Sequence, residues 1–164
     1  MDAKTLNSTI NAVCAMLPNH FLDGTVEEGK LILTNGEITL KADFRVGQRI
    51  ALGGGYFARG SYKILTKLPS GNGFIYELEG LDNVSDELAI AYGQRMPQDF
   101  IDLCERIAKW EGKNEPTKVV SHSVGGYYSE TVAVGADGLS AGWQDVFKKE
   151  LRQYRTQMVT GVAL

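Results

Sequence analysis

The chain has 164 residues, of which 43% are hydrophobic and 23% charged, and its net charge is −3 at neutral pH. These values are ordinary for a globular protein that needs no disulfide or metal to fold, and the acidic balance argues against nucleic-acid binding over the whole surface. The N-terminal residues lack the pattern of a secretory signal, and no run of about 18 apolar residues predicts a membrane helix. We therefore expect a protein of the cytosol, or of an assembly built there.

Two kinds of periodicity follow each other along the first part of the chain. Apolar residues recur at helical spacing over 2–17, and Pro18 should end that helix. From position 21 to about 95 the pattern becomes β-like and rich in glycine. Asn35-Gly36 predicts a tight hairpin turn, because both turn positions need positive φ. Further strands are predicted at 49–52, 61–65, 74–78 and 87–92, in a small antiparallel sheet or partly open barrel.

Helical spacing returns at Pro97 and continues to Trp110, with proline at the position where a helix tolerates it best. An extended arm is predicted at 118–135 and a C-terminal helix at 140–158, with Ser140 as its N-cap. The predicted fold class is therefore α+β. It is a small helical bundle of three main helices in a single domain, 1–164, with an inserted antiparallel β subdomain at 21–95 and an extended β-arm before the last helix.

No group of residues has the spacing of a catalytic or metal site. The glycines at 53–55 are not followed by the Lys-Ser/Thr of a phosphate-binding loop, and they predict a turn between strands instead. Ser121 and His122 are neighbours on a predicted strand, so their side chains point to opposite faces. Paired zinc-ligand spacing is absent from the cysteines and histidines, which are Cys14, His20, Cys104 and His122. We expect no catalysis, no cofactor and no metal.

Two features of the last third suit contacts with other molecules. The last predicted helix carries a basic strip at i, i+1, i+4 and i+7, formed by Lys148, Lys149, Arg152 and Arg155. This strip is either a solvated face or a salt-sensitive contact with an acidic subunit or with DNA. Tyr127 and Tyr128 lie in a Gly/Ser-rich arm, where they either anchor an interface or are divided between the helical core and solvent.

Several groups of residues also follow one another in a characteristic order. Upstream these are Gly47-Gln48, Gly54, Phe57, Gly60, Tyr62-Lys63 and the segment from Pro97 to Trp110. Downstream they are SHSVGGYYS at 121–129, Trp143-Gln144, and Phe147 with Arg152, Tyr154 and Arg155. In this order they resemble the head–tail connector proteins of tailed bacteriophages, also called neck or adaptor proteins, in a subgroup with a β insert.

The resemblance implies a structural virion protein at the phage neck. Such proteins form rings, usually of twelve subunits, that join the portal to the stopper or tail-completion protein and extend the DNA channel without reading DNA sequence. It implies an intersubunit arm that includes Ser121, Ser123, Gly125, Gly126, Tyr127 and Tyr128. It also implies a portal-facing helix that includes Trp143, Lys148, Lys149, Arg152, Arg155 and Met158.

Two other functions remain open at this stage. The first is a nucleic-acid- or ligand-binding module that uses the β subdomain, where Tyr56, Phe57 and Arg59 form a compact set. The second is a small hydrolase, which would need a reactive side chain such as Ser121, Ser123 or Cys104.

Overall fold

The structure is a computed structural model, and it describes residues 1–17, 21–114, 121–124, 128–131 and 142–155. The chain divides into two units, Met1–Cys104 and Glu105–Leu164. Among the helices of the described ranges, none has both the length and the apolar character needed to cross a membrane.

The first unit is built from one helix and six strands. They are α1 (Ala3–Ala15), β1 (Leu22–Thr34), β2 (Glu37–Leu40), β3 (Arg49–Gly53), β4 (Gly60–Ser70), β5 (Gly73–Leu78) and β6 (Asp86–Gln94). Helix α2 (Gln98–Glu111) begins in this unit and continues into the second. The later elements are β7 (Ser121–Val124), β8 (Tyr128–Thr131), α3 (Trp143–Val146) and α4 (Lys148–Arg155).

The six strands of the first unit form a closed antiparallel barrel in the order β1-β2-β5-β4-β3-β6. Strand β6 closes it by pairing with β1 on one side and with β3 on the other. Inward-facing side chains fill the interior, and the largest fully buried ones include Phe44, Ile50, Ile64 and Tyr76. The Tyr76 hydroxyl accepts a hydrogen bond from the Phe44 N–H at 3.0 Å and donates one to the Ala42 carbonyl at 2.8 Å. The only hydroxyl among these large side chains is thus paired inside the core.

The prediction of a helical bundle with an inserted sheet is wrong. The barrel is the main body of the first unit, and its closed sheet supplies the principal hydrophobic core. The helices are short, with 13 residues in α1, 14 in α2, four in α3 and eight in α4. Helical spacing correctly located apolar stripes at 2–17 and 97–110, but a stripe does not reveal whether a helix packs on helices or on a sheet.

The predicted hairpin at Asn35-Gly36 is confirmed. Both residues have positive φ, at 50° and 79°, and they join β1 to β2 in antiparallel register. A side chain at Gly36 would meet the Leu81 carbonyl oxygen at 2.7 Å, so glycine is required by space as well as by conformation.

The strands extend further than the sequence pattern indicates. Strand β1 begins at Leu22, and register shifts interrupt its pairing with β6 between Leu22 and Val26 and between Glu28 and Leu31. Strand β4 continues to Ser70 past a further shift. Each bulge breaks the alternation of apolar and polar residues, which is why these segments do not resemble strands in the sequence.

A buried polar cluster lies where α1 packs against the barrel. The Arg49 guanidinium donates to the Ser61 hydroxyl at 3.1 Å, to the Ser61 carbonyl at 2.8 Å and to the Asn7 side chain. The Ser61 hydroxyl in turn donates to Gln94, and the Asn7 amide donates to the Glu79 carbonyl at 3.0 Å. Burial lowers the pKa of Arg49, and the nearby Glu79 carboxylate opposes that shift. The cluster therefore links α1 to β3, β4 and β6 through one desolvated cation.

Replacing Arg49 with methionine should cost about 3 kcal/mol of unfolding free energy, because it removes charge-assisted hydrogen bonds and leaves buried acceptors without donors. Equilibrium urea denaturation would measure the loss. The exposed Arg45→Met variant is the matched control and should change stability by less than about 0.5 kcal/mol. Equal midpoints for the two variants would show that the cluster does not hold α1 on the barrel.

Candidate functional site

The C-terminal segment consists of two short helices instead of one continuous helix in its described part. Helix α3 ends at Val146, its C-cap Phe147 has φ −98° and ψ 11°, and α4 begins at Lys148. Hydrogen bonds from Phe147 N–H to the Trp143 carbonyl (2.9 Å) and from Leu151 N–H to the Phe147 carbonyl (3.0 Å) continue the helical spacing across the junction. Apolar spacing therefore predicts one helix, although the backbone is distorted at this point. Ser140 lies outside the described residues.

The two helices bury one face and expose the other. The buried side chains are Trp143, Phe147, Leu151 and Tyr154. Lys148, Lys149 and Arg152 are exposed on the other side, and we call these three residues the basic face. The side chain of Arg155 and the whole of Met158 lie outside the described residues. The exposed part of the predicted basic strip thus contains three cations on about one and a half turns of helix.

Arg106 on α2 connects that helix to α4 within the second unit. Its guanidinium forms an ion pair with Glu150 and lies 5.9 Å from the centre of the Phe147 ring. Sequence reasoning missed this contact, because Arg106 and Glu150 are 44 positions apart and neither belongs to a motif. Glu150, which lies next to the basic face in the sequence, is therefore engaged by a cation of α2.

Replacing Trp143 with alanine should lower the unfolding free energy of the second unit by about 3–5 kcal/mol, because the indole is buried. Val146→Ala is the matched control on the same helix. Its side chain is 45% exposed and should cost less than about 1 kcal/mol. Thermal unfolding monitored by circular dichroism compares the two, and an unchanged midpoint for the tryptophan variant would contradict a core role.

The predicted arm contains a two-stranded antiparallel sheet. Strands β7 and β8 pair from Ser121↔Thr131 to Val124↔Tyr128. Of the predicted arm residues, Ser121, Ser123 and Tyr128 belong to these strands. The others, Gly125, Gly126 and Tyr127, lie between the strands, outside the described residues. The described part of the predicted arm therefore consists of two strands that pair with each other as a hairpin.

The loop between β3 and β4 presents two neighbouring aromatic side chains to solvent. Tyr56 is 86% exposed and Phe57 is 69% exposed. Their rings contact each other edge to face, with centroids 4.9 Å apart and an interplanar angle of 77°. We call this pair the aromatic knob. Arg59 follows in the same loop and is also exposed, so all three residues of the compact set predicted from the sequence lie on the surface.

The aromatic knob stands on an anchored backbone. The Asp86 carboxylate accepts hydrogen bonds from the N–H groups of Phe57 (2.8 Å) and Ala58 (2.9 Å). These bonds hold the pKa of Asp86 below its usual value of 3.8, with Ala58 the largest contributor. Ala58 is fully buried in the barrel core, and Gly54 (φ 78°) passes so close to Ala89 that a side chain there would clash. Sequence reasoning found the loop but missed Asp86, which is 28 positions from Ala58.

Removing the carboxylate in Asp86→Ala should speed amide hydrogen exchange at Phe57 and Ala58 at neutral pH. In the unchanged protein, the lowered pKa means that the carboxylate stabilises the loop above about pH 3.8. That stabilisation should disappear as the pH falls through the lowered pKa of the folded state. Exchange measured by NMR provides the test, with Asp82→Ala as the control. Equal exchange in both variants would show that Asp86 does not order the loop.

The two cysteines are poor nucleophiles. Burial raises the pKa of Cys14 to about 11 and that of Cys104 to about 12, so both remain protonated at neutral pH. Cys104 is fully buried, which argues against the hydrolase alternative at that residue. The described part of the chain contains no cluster of three or more metal-ligating side chains.

By its geometry, the first unit belongs to the small closed antiparallel barrels, with six strands and a helix packed on β4. The first unit exposes the aromatic knob, and the second unit exposes the basic face. No family model matches this sequence, and no curated protein or solved structure matches it.

Proposed function

We propose that this protein is a structural virion protein of a tailed bacteriophage, a head–tail connector that forms a ring at the neck. The ring joins the portal to the stopper or tail-completion protein and extends the DNA channel. The order of the residue groups from Gly47 to Arg155 supports this proposal, since it resembles that of connector proteins.

The β7–β8 hairpin is the structural observation that carries the proposal. It is a two-stranded sheet with four residue pairs, and a sheet of that size standing alone is marginally stable in water. Such a hairpin gains stability when a neighbouring surface covers it. An intersubunit arm packs on the adjacent subunit, which would supply that surface. The proposed ring, of about twelve subunits by analogy with the family, would provide such a surface at every arm.

The basic face supports docking to the portal. Lys148, Lys149 and Arg152 are exposed, while the opposite side of the same helices is buried. This arrangement lets an acidic partner reach the cations without any cost to the core. DNA in the channel would interact with the same charges through its phosphates and without sequence specificity.

A nucleic-acid-binding barrel is the second candidate, and the exposed aromatic knob beside Arg59 favours it, because bases stack on exposed aromatic rings. The charge of the unit opposes it. Residues 1–104 contain nine Lys and Arg against thirteen Asp and Glu, so the barrel unit repels phosphates overall.

Cryo-electron microscopy of the full chain mixed with the portal protein of the same phage tests the connector proposal. A ring on the portal, with α4 at the junction, is the expected result. Absence of any association, together with saturable binding of an oligonucleotide to the barrel, would replace the connector proposal with the second candidate.

Reversing two charges of the basic face, in Lys149→Glu/Arg152→Glu, should weaken portal docking about tenfold at low salt and much less at high salt. Lys4→Glu/Lys63→Glu makes the same charge change at exposed positions of the first unit and should leave docking unchanged. Docking affinity at several salt concentrations is the measurement. If both variants lose the same affinity, the effect is one of net charge and the basic face has no specific role.

A further inference from the structure

The outer wall of the barrel carries three aliphatic side chains on neighbouring strands, which we call the aliphatic row: Ile32, Ile75 and Leu68. Thr39 on β2 is paired with Ile75 on β5, and Ile75 is paired with Leu68 on β4. Ile32 on β1 and Ile75 line a cleft of about 450 Å³ together with Thr39 and four further polar residues, Lys30, Thr34, Asn35 and Glu37. Ile32 is 48% exposed and Leu68 is 57% exposed. We call this surface the wall cleft.

Two glutamates oppose each other at the edge of the wall cleft. Glu37 on β2 and Glu77 on β5 are direct cross-strand partners on the outward face. Like charges directly opposite each other destabilise a sheet, so the repulsion between Glu37 and Glu77 lowers the stability of a subunit that is on its own. The cation on the other side of the cleft, Lys30, is already paired with Glu87 at 2.8 Å. A cation supplied by another molecule would therefore relieve the repulsion between Glu37 and Glu77.

The aromatic knob has the complementary properties. It protrudes where the wall cleft recedes, its aromatic rings suit the aliphatic side chains of Ile32 and Ile75 in the cleft, and its neighbour Arg59 is an exposed cation. The loop that carries the knob joins β3 to β4 at one end of the barrel and is hydrogen-bonded to Asp86 at the start of β6. The wall cleft lies on the outer face of β1, β2, β5 and β4. The two surfaces are therefore different parts of one unit.

We propose that the aromatic knob of one subunit inserts into the wall cleft of a second copy of this chain. Arg59 of the first copy then meets the Glu37–Glu77 pair of the second, so the contact joins aromatic to aliphatic surface and cation to anions. Because the two surfaces are different, each copy still presents an unused knob or an unused cleft, and the contact repeats head to tail.

The anchoring of the loop makes the aromatic knob suitable for binding. Asp86 fixes the backbone of Phe57 and Ala58 before any partner arrives, so little conformational entropy is lost on association. Aromatic side chains that pack on aliphatic ones such as Ile32 and Ile75 are typical interface hot spots, and the polar lining of the cleft supplies the surrounding contact.

This inference deepens the proposed function, because repetition with a suitable rotation closes a ring, but its argument uses only the barrel. An acidic barrel unit disfavours nucleic acid as the occupant of the aromatic knob. A protein surface with its own glutamates at the cleft edge suits Arg59 better.

Disulfide formation between engineered cysteines tests the contact in the full chain. A mixture of the Arg59→Cys and Glu37→Cys variants should form covalent dimers under mild oxidation, and a chain that carries both changes should form a ladder of oligomers. Both substitutions leave Tyr56, Phe57 and the aliphatic row intact. The native cysteines contribute no background, because both are buried and protonated.

Two controls define the specificity of the cross-link. Lys63→Cys places a thiol at an exposed position within β4, outside the loop that carries the aromatic knob, and its mixture with Glu37→Cys should not cross-link. Adding Phe57→Ser to the Arg59→Cys chain should reduce cross-linking about 30-fold, as expected for loss of a hot spot. Phe57 is exposed, so circular dichroism should show the same fold.

The outcomes separate this inference from the proposed function. The inference would be overturned if cross-linking between positions 59 and 37 were no stronger than in the Lys63→Cys control. A product joined through position 59 on both chains would also overturn it. In the Arg59→Cys variant, protection of the introduced thiol by an oligonucleotide without cross-linking would assign the aromatic knob to nucleic acid instead. A ladder without portal binding would refute only the connector, and portal binding without a ladder would refute only the knob–cleft contact.

Discussion

Strand β6 holds the barrel closed, because it pairs with β1 along one edge and with β3 along the other. Without both ladders the sheet would have two open edges, and its interior side chains would face water. The loop at the end of the barrel depends on the same strand, since Asp86 at the start of β6 fixes the backbone beneath Tyr56 and Phe57. Closure of the sheet thus determines both the core and the position of the most exposed aromatic residues.

In the described part of the chain, the buried polar groups and the exposed surfaces have different roles. Inside the first unit, Arg49 is engaged by Asn7 and Ser61, and the two thiols are protonated by burial. These groups stabilise the fold and are inaccessible to a substrate. Outside, the aromatic knob, the wall cleft and the basic face remain exposed. Exposed apolar and charged surfaces of this kind often mark places where another molecule binds.

Local signals in the sequence predicted part of this structure. The Asn35-Gly36 turn was predictable because few residue pairs accept two positive φ values, and α2 because its apolar residues repeat at helical spacing. The extent of β1 was not predictable, since its bulges break the alternation that identifies a strand. Nor were the partners of Arg49, because Asn7 and Ser61 are 42 and 12 positions away from it.

The sequence by itself determined where the chain turns, which segments alternate or repeat apolar residues, and that cations line one side of the last helix. These properties depend on neighbours within a few positions, where steric and periodic rules act. Only the tertiary structure decided that the sheet closes, that Ala58 is buried beneath an exposed Phe57, and that Glu37 faces Glu77. Those arrangements depend on strand order and register, which the packing of distant segments sets through the common core.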